Sequence, residues 1–67
     1  MELMINGTNR AVAPDVQTIE QLLESLQLTG KRVIVEWNEQ ILQKEEHGTT
    51  VIGDGDTLEI VHFVGGG

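Results

Sequence analysis

The groups most able to take part in chemistry lie at the C-terminus, where Gly65, Gly66 and Gly67 follow a strand-like run and end in a free carboxylate. Glycine has no Cβ and adopts backbone conformations closed to other residues, so three in a row form a thin, conformationally free chain. We therefore expect residues 65–67 to be a flexible tail on a folded domain of residues 1–64. Our hypothesis is that this tail enters the active site of another protein, which acts on the Gly67 carboxylate.

The rest of the sequence offers few other reactive groups. It contains no cysteine, which excludes disulfides, thiolate metal sites and cysteine nucleophiles. His47 and His62 lack the spacing of a metal site, and the adjacent carboxylates of Glu45 and Glu46 are more typical of a solvated loop than of acid–base catalysis. Residues 53–56 carry two acidic side chains and no lysine, so they predict a turn and not a phosphate-binding loop. We expect no catalytic residue and no metal site.

The length of 67 residues limits what the chain can do by itself. A domain of this size buries only about 60% of the surface of its unfolded chain, which leaves little room for an enclosed substrate pocket. The sequence therefore favours a protein that other enzymes act on over an enzyme. No apolar run approaches the ~20 residues of a membrane span and no targeting segment is visible, so we expect a cytoplasmic location.

The charge balance is strongly acidic, with 11 acidic and 4 basic residues and a formal net charge of −7. Phosphates would be repelled, so nucleic acid and anionic membranes are not expected as partners. A partner with a basic docking surface fits better, although the same charge would also serve solubility alone.

The elements that must position the tail begin with a β-hairpin. Leu3 and Ile5 alternate with their neighbours, and the Asn-Gly pair at residues 6–7 is a strong signal for a tight turn because both residues tolerate positive φ. The second arm is predicted at residues 8–13, and Pro14 ends it because proline cannot donate to the ladder.

A helix follows from Thr18, a good N-cap with Gln21 three residues later in capping-box position. Its core stripe has helical spacing and consists of Ile19, Leu22, Leu23 and Leu26. Gly30 is the predicted C-cap or turn, and the positive charges of residues 31–32 complement the negative end of the helix.

The second half of the chain supplies the remaining strands. Residues 32–37 are rich in β-branched side chains and predict a central strand, in which Ile34 and Glu36 face outward. Trp37, the sole tryptophan, is expected to pack and not to stack on a ligand. The later elements are a short edge strand at residues 40–42, a loop or single helical turn at 44–48, an extended segment at 49–52 and a final strand at 57–64.

This order predicts an α+β roll with a mixed four- to five-stranded sheet, because a single main helix covers only one sheet face. The first and last strands are expected to pair parallel at its centre. The open face then carries an apolar patch that we predict to dock a partner, made of Ile34, Val61, Phe63 and Val64. The alternative for Phe63 is that it only covers the edge of the core.

Four segments carry a resemblance to a known family. They are Leu-Met-Ile-Asn-Gly at residues 3–7, Thr-Ile-Glu-Gln-Leu-Leu at 18–23, Val-Glu-Trp-Asn-Glu-Gln-Ile at 35–41, and residues 53–67 from Gly-Asp-Gly-Asp to the terminal glycines. Along essentially the whole chain the sequence resembles the ubiquitin-like β-grasp family, and within it the ThiS family of sulfur carriers in bacterial thiamin biosynthesis. The most specific part is the hydrophobic strand that leads to a C-terminal Gly-Gly.

The resemblance implies a mechanism for the tail. In that family an ATP-using adenylating enzyme similar to ubiquitin-activating enzymes (ThiF-like) activates the terminal carboxylate. A desulfurase supplies sulfur to form a thiocarboxylate, and a thiazole synthase (ThiG-like) consumes it. Gly67 would be the activated residue, with Gly65 and Gly66 as its stem. ATP and Mg would be bound by the activating partner, and this chain would bind no cofactor, because such chemistry needs metal and positive charge around the phosphates.

Three alternatives remain open at this point. A molybdopterin-type sulfur carrier has the same tail chemistry but delivers to a pterin-forming synthase; the short length and the ending favour the thiamin branch. A ubiquitin-like protein modifier would place Gly67 in isopeptide linkage to lysines. A regulatory β-grasp binding domain would tolerate any C-terminal residue, which leaves the three glycines unexplained.

Overall fold

The computed structural model of the chain describes residues 1–63. Val64 and the predicted tail at residues 65–67 lie outside the described residues, and so does the predicted domain boundary between them. The elements are β1 (Glu2–Ile5), β2 (Thr8–Ala11), α1 (Ile19–Ser25), β3 (Val33–Trp37), β4 (Gln40–Leu42), a short 3₁₀ helix (Lys44–Glu46) and β5 (Thr57–His62). No helix among these residues is long and apolar enough to cross a membrane.

The five strands form one mixed sheet in the order β2-β1-β5-β3-β4. β1 and β5 pair parallel, with Met4 opposite Thr57, and every other pair of neighbours is antiparallel. The first and last strands therefore lie side by side at the centre. The predicted α+β roll with a mixed sheet is confirmed.

Two tight turns set the register of the outer strands. Asn6 and Gly7 have φ values of 52° and 81°, and Asn38 and Glu39 have φ values of 47° and 71°. Positive φ at both central residues of a two-residue turn matches the right-handed twist of the strands that it joins. Both hairpins follow from these turns, although β2 ends at Ala11, earlier than the predicted residue 13.

Helix α1 packs its apolar stripe on one face of the sheet and closes the core. The buried apolar side chains are Leu3, Ile5, Val16, Ile19, Leu22, Leu23, Val35, Leu42, Ile52, Leu58 and Ile60. Burial of each large aliphatic side chain contributes about 1.5–3 kcal/mol, so this cluster is the main source of stability. Half-buried side chains that include Val12, Leu26 and Trp37 extend the cluster at its edge.

The helix begins where the sequence predicts. The Gln21 N–H donates to the Thr18 hydroxyl at 3.2 Å, and the Gln21 side-chain oxygen accepts from the Thr18 N–H at 3.1 Å. These reciprocal bonds form a capping box, which satisfies backbone donors that have no partner inside the helix. The N-terminus of α1 is also tied to the chain before β5, because Thr18 forms an antiparallel bridge with Val51. The extended segment predicted at residues 49–52 contributes this bridge and no longer strand.

Gly30 was predicted as the C-cap of the helix or a turn after it, and the structure places it in a turn. Helix α1 ends at Ser25, and Gln27 takes the left-handed conformation with φ 61°. The Leu28 N–H donates to the Leu23 carbonyl at 2.8 Å and the Gln27 N–H donates to the Glu24 carbonyl at 3.0 Å, which are the two bonds of a Schellman motif.

Gly30 belongs to the turn that follows the Schellman motif. It has φ 80°, and the Lys31 N–H closes this turn on the Leu28 carbonyl at 3.1 Å. The predicted turn at Gly30 is confirmed, whereas the C-cap alternative is not, because glutamine occupies the left-handed position that ends the helix. Residues 31–32 therefore lie beyond the last turn of the helix, whose negative end they were predicted to complement.

Candidate functional site

The candidate site is the end of β5 and the surface around it. The strand ends at His62, and the Phe63 N–H donates to the Arg32 carbonyl at 3.1 Å, so the pairing of β5 with β3 reaches the last described residue. The predicted reactive residue Gly67 and its stem, Gly65 and Gly66, continue from this point in sequence and lie outside the described residues.

The opposite end of β5 is held by hydrogen bonds to the Asp56 carboxylate. Asp56 Oδ2 accepts from Trp37 Nε1 at 2.8 Å and from the Gly53 N–H at 2.7 Å. Partial burial raises the pKa of Asp56, but these two bonds, together with the Asn38 side chain, outweigh it and hold the pKa below its ordinary value. The carboxylate therefore stays ionised at neutral pH and fixes the turn before β5 against β3. Trp37 packs half-buried at the core edge, as predicted.

Asn6 extends the pairing of β1 with β5 beyond the end of β1. Its Oδ1 accepts from the Ile60 N–H at 2.8 Å, and its Nδ2 donates to the Ile60 carbonyl at 3.1 Å. The side-chain amide thus takes the place of one more strand residue and satisfies backbone groups that would otherwise lack a partner. β5 is therefore held from both sides as far as Ile60. The sequence identified Asn6 as a turn residue only.

The open face carries the predicted apolar patch. Ile34 and Val61 face each other across β3 and β5, and their side chains are 46% and 54% exposed. Phe63 is 51% exposed and its ring centroid lies 5.8 Å from the Arg32 guanidinium carbon, a cation–π arrangement. The structure thus brings together three of the four predicted docking residues, and the fourth, Val64, lies outside the described residues. Their docking role stays a prediction.

Ile41 belongs to the same face and was missed. It pairs with Glu36 across β3 and β4 and is 65% exposed, more than the three described residues of the predicted patch. The signal in the sequence was its alternation with Leu42, which is buried. Since successive strand residues point to opposite faces, a buried Leu42 requires an outward Ile41.

Two carboxylates lie at the centre of the open face. Glu36 on β3 and Glu59 on β5 are direct cross-strand partners, one pair along from Ile34 and Val61 on the same face. Like charges placed opposite each other are unfavourable in a sheet. The sequence showed both residues, but only the strand register shows that they face each other.

The sequence predicted no metal-binding or catalytic role for His47, His62 and Glu46, and the structure shows where these side chains lie. His47 is buried, and His62 is exposed on the helix side, since it pairs with the half-buried, core-facing Val33. Glu46 accepts a hydrogen bond from the Gln43 N–H at 2.7 Å and so closes the start of the short 3₁₀ helix. Among residues 1–63, no group of three or more histidines or carboxylates is arranged to hold a metal ion.

Known proteins similar to the chain include a small carrier protein and a larger enzyme that contains a similar segment. The sequence model of the ThiS family matches residues 3–67. The sulfur carrier protein ThiS of Bacillus subtilis is 48% identical over 65 residues, which are 97% of this chain and 98% of the relative. The thiazole synthase of Paramagnetospirillum magneticum is 42% identical over 67 residues, and these cover all of this chain but 20% of that protein.

Solved structures resemble the chain over its whole length. The crystal structure of the thiamine biosynthesis protein ThiS from Geobacter metallireducens has a TM-score of 0.82 at 33% identity, with complete coverage of both chains. The solution structure of a thiamine biosynthesis protein from the same organism also gives 0.82 at 33% identity and is covered over 88% of its length.

Proposed function

Because the chain belongs to the ThiS family and has its ubiquitin-like fold, we propose that its C-terminal carboxylate is adenylated, converted to a thiocarboxylate and consumed by a thiazole synthase. The chain is a sulfur carrier of thiamin biosynthesis. The observation that supports the finer steps is that the family match extends to Gly67 and that β5, held as far as Ile60 by Asn6, leads into this terminus.

The chemistry proposed for Gly67 needs activation, because a carboxylate is a poor acyl donor. Its oxygen would attack the α-phosphorus of ATP, and pyrophosphate would leave to give an acyl-adenylate. Hydrosulfide, formed by thiol reduction of the sulfur that a desulfurase supplies, would then attack the carbonyl carbon, and AMP would leave with the former carboxylate oxygen to give the thiocarboxylate. The chain contributes the carboxylate and the partner binds ATP and Mg, since the turn before β5 carries Asp54 and Asp56 and no lysine. In this proposal the chain is a protein substrate and not an enzyme.

The open face is the proposed docking surface for the enzymes that act on the tail. Ile34, Val61 and Phe63 are half-exposed and lie on the strand pair that leads to the tail, so a partner that covers them also receives the terminus. Glu36 and Glu59 add a requirement on that partner. Their mutual repulsion is relieved when a lysine or arginine from the partner lies between them, so the docking surface is expected to be basic at this point.

Thiazole synthase is the proposed acceptor of the sulfur. Two proteins with that name, from Paramagnetospirillum magneticum and Magnetococcus marinus, contain a segment similar to all 67 residues of this chain within 20% of their length. A carrier-like segment linked to the rest of such a protein meets it at a high effective concentration. That linkage supports the proposal that this chain meets a thiazole synthase as a separate partner.

A binding comparison tests this acceptor against the molybdopterin alternative. The purified chain is immobilised and exposed to the thiazole synthase of the same organism, or to its molybdopterin synthase subunit. We expect saturable binding of the thiazole synthase and none of the molybdopterin subunit. Binding of the molybdopterin subunit alone would indicate a molybdopterin-type sulfur carrier. Binding of neither protein would contradict the proposed acceptor.

A further inference from the structure

A groove of about 720 Å³ lies beside the point where β5 ends. It is formed by α1, the turn that follows the helix, the start of β3 and the short 3₁₀ helix. Three of the four lysine and arginine residues of the chain, Lys31, Arg32 and Lys44, line it. The fourth, Arg10, lies on β2 and is not part of the lining. In a chain with a formal net charge of −7, most of the positive charge is therefore gathered around one groove.

The groove continues the open face. Ile34 and Phe63, which belong to the apolar patch, also line the groove, and Leu28 contributes a further apolar wall. The Arg32 guanidinium lies over the Phe63 ring, so a cation stands where the two surfaces meet. Glu20 is the one carboxylate in the described lining. A protein that covers the open face therefore meets positive charge as soon as it extends past Phe63.

The wall of the groove also contains an unsatisfied polar group. His47 is 8% exposed, and its Nε2 has no hydrogen-bond partner within the described part of the chain. A buried polar atom without a hydrogen-bond partner is unfavourable.

From these observations we propose that the groove receives an acidic segment of the same protein partner that docks on the open face. Carboxylates of that segment pair with Lys31, Arg32 and Lys44, and an apolar side chain packs against Leu28 and Phe63. The proposal rests on the proposed function in one respect, namely that a partner covers the open face.

The groove changes what the net charge implies about the partner. A uniformly basic surface complements Glu36 and Glu59 on the open face but is repelled by the three cations of the groove. Electrostatic complementarity across an interface fixes the orientation of the two proteins and disfavours wrong partners. The partner is therefore expected to present basic residues over the sheet and acidic residues beside the end of β5, which orients β5 toward the active site of the partner.

Charge-reversal variants with a matched control test the groove. Lys31→Glu and Lys44→Glu each change the net charge by the same amount as Arg10→Glu, which lies outside the groove. In calorimetric titrations of thiazole synthase we expect each groove variant to weaken binding by about tenfold or more, and Arg10→Glu by less than about twofold. Circular dichroism confirms that each variant is folded, and the neutral Lys44→Gln gives an intermediate loss. Equal effects of all three reversals would overturn the proposal while leaving the docking on the open face intact.

A second measurement examines the groove without the partner. The probe is a capped peptide of alternating glutamate and leucine, titrated into the isotope-labelled chain and followed by amide shifts. We expect the shifts to cluster at residues 28–33, 44–47 and 63, and to disappear in Lys44→Glu but not in Arg10→Glu. Shifts spread over the surface, or none, would overturn the proposal. If thiazole synthase does not bind the wild-type chain, the proposed acceptor is wrong. The peptide titration then still tests whether the groove binds an acidic segment.

Discussion

The two ends of β5 are held in different ways. At the start of the strand, Asp56 accepts hydrogen bonds from Trp37 and Gly53, and Asn38 accepts one from the Thr57 N–H at 2.9 Å. At the other end, Asn6 reaches no further than Ile60, and the last described residue is held through the carbonyl of Arg32. The start is fixed by hydrogen bonds to side chains, whereas beyond Ile60 the chain is hydrogen-bonded through its backbone and leaves Val61 and Phe63 about half exposed.

This difference separates the residues that stabilise the fold from those that carry the function. Hydrogen bonds to a charged carboxylate contribute to the free energy of unfolding, so changes near Asp56 are expected to act on stability. Half-exposed side chains such as Val61 contribute little to the core but much to any surface that covers them. Variants at the two ends should therefore fall into two classes, with little overlap between loss of stability and loss of function.

The largest effect is expected at the terminus itself. Deletion of Gly67, or addition of one residue after it, would displace the carboxylate from the position that the proposed adenylation requires. Misplacement of a reacting group by about 1 Å already costs about 100-fold, so ATP–pyrophosphate exchange should fall at least that far. The thermal midpoint should not change, and one residue added before Met1 serves as the control. Exchange retained by either tail variant would show that the terminal carboxylate is not the group that reacts.

A smaller effect on binding is expected from the open face. Ile34→Asp and Val61→Asp place a charge in the patch beside Glu36 and Glu59, and we expect partner affinity to fall by about 10- to 100-fold. Stability should change little because both positions are about half-exposed. Val51→Asp is the matched control, since Val51 is 67% exposed but lies outside the sheet. If the control weakens binding as much as the patch variants, the docking surface is elsewhere.

At the other end of β5, Asp56→Asn should act on stability. We expect the free energy of unfolding at pH 7 to fall by about 1 kcal/mol, because a partly exposed carboxylate is screened by solvent. Adenylation well below the thermal midpoint should be unchanged. Chemical denaturation measures the first quantity, and Asp15→Asn, at an exposed position, controls for the loss of charge.

The difference in the free energy of unfolding between wild type and Asp56→Asn depends on pH with a defined sign. Because the pKa of Asp56 is lowered in the folded chain, its contribution is fully present above the unfolded value, about 3.9, and is lost as the pH falls through the lower folded value. The gap between wild type and Asp56→Asn should therefore narrow below about pH 4. A gap that stays constant down to pH 2 would contradict the ionised role of Asp56.

The smallest effect is expected at the end of the helix, away from both ends of β5. Gln27 adopts φ 61°, which is unfavourable for a residue with a Cβ, so Gln27→Gly should raise the free energy of unfolding by about 0.5 kcal/mol. Gln43→Gly is the control, because Gln43 has φ −74° and glycine there only adds freedom to the unfolded chain. A loss of stability in Gln27→Gly would show that the Gln27 side chain makes up for its backbone strain.

Local signals account for the part of the fold that the sequence predicted. The turn at Asn6 and Gly7 and the capping box at Thr18 and Gln21 each depend on residues within four positions of one another, so their chemistry is visible in the sequence. The helix end at Gln27 was not visible, because glutamine has no preference for the left-handed conformation. Asn6 binds Ile60, which is 54 positions away, and a contact at that distance needs the parallel pairing of β1 and β5.

The candidate site also has one part that local sequence patterns predict and another part that depends on the fold. The outward direction of Ile34 and Val61 followed from strand alternation, which is a local pattern. The opposition of Glu36 and Glu59 depends on the register between two strands, and the groove is assembled from segments that are distant in sequence. Lys31 and Lys44 looked like unrelated surface charges until the fold placed them on the walls of one groove.

The proposal that sulfur is carried on the terminal carboxylate is tested most directly by the mass of the intact chain. The purified protein is incubated with its adenylating enzyme, ATP, Mg and a sulfur source, and is measured by electrospray before and after. We expect an increase equal to the difference between one sulfur and one oxygen atom, assigned to Gly67 by fragmentation. An unchanged mass, under conditions in which a related carrier gains sulfur in parallel, would contradict the proposal.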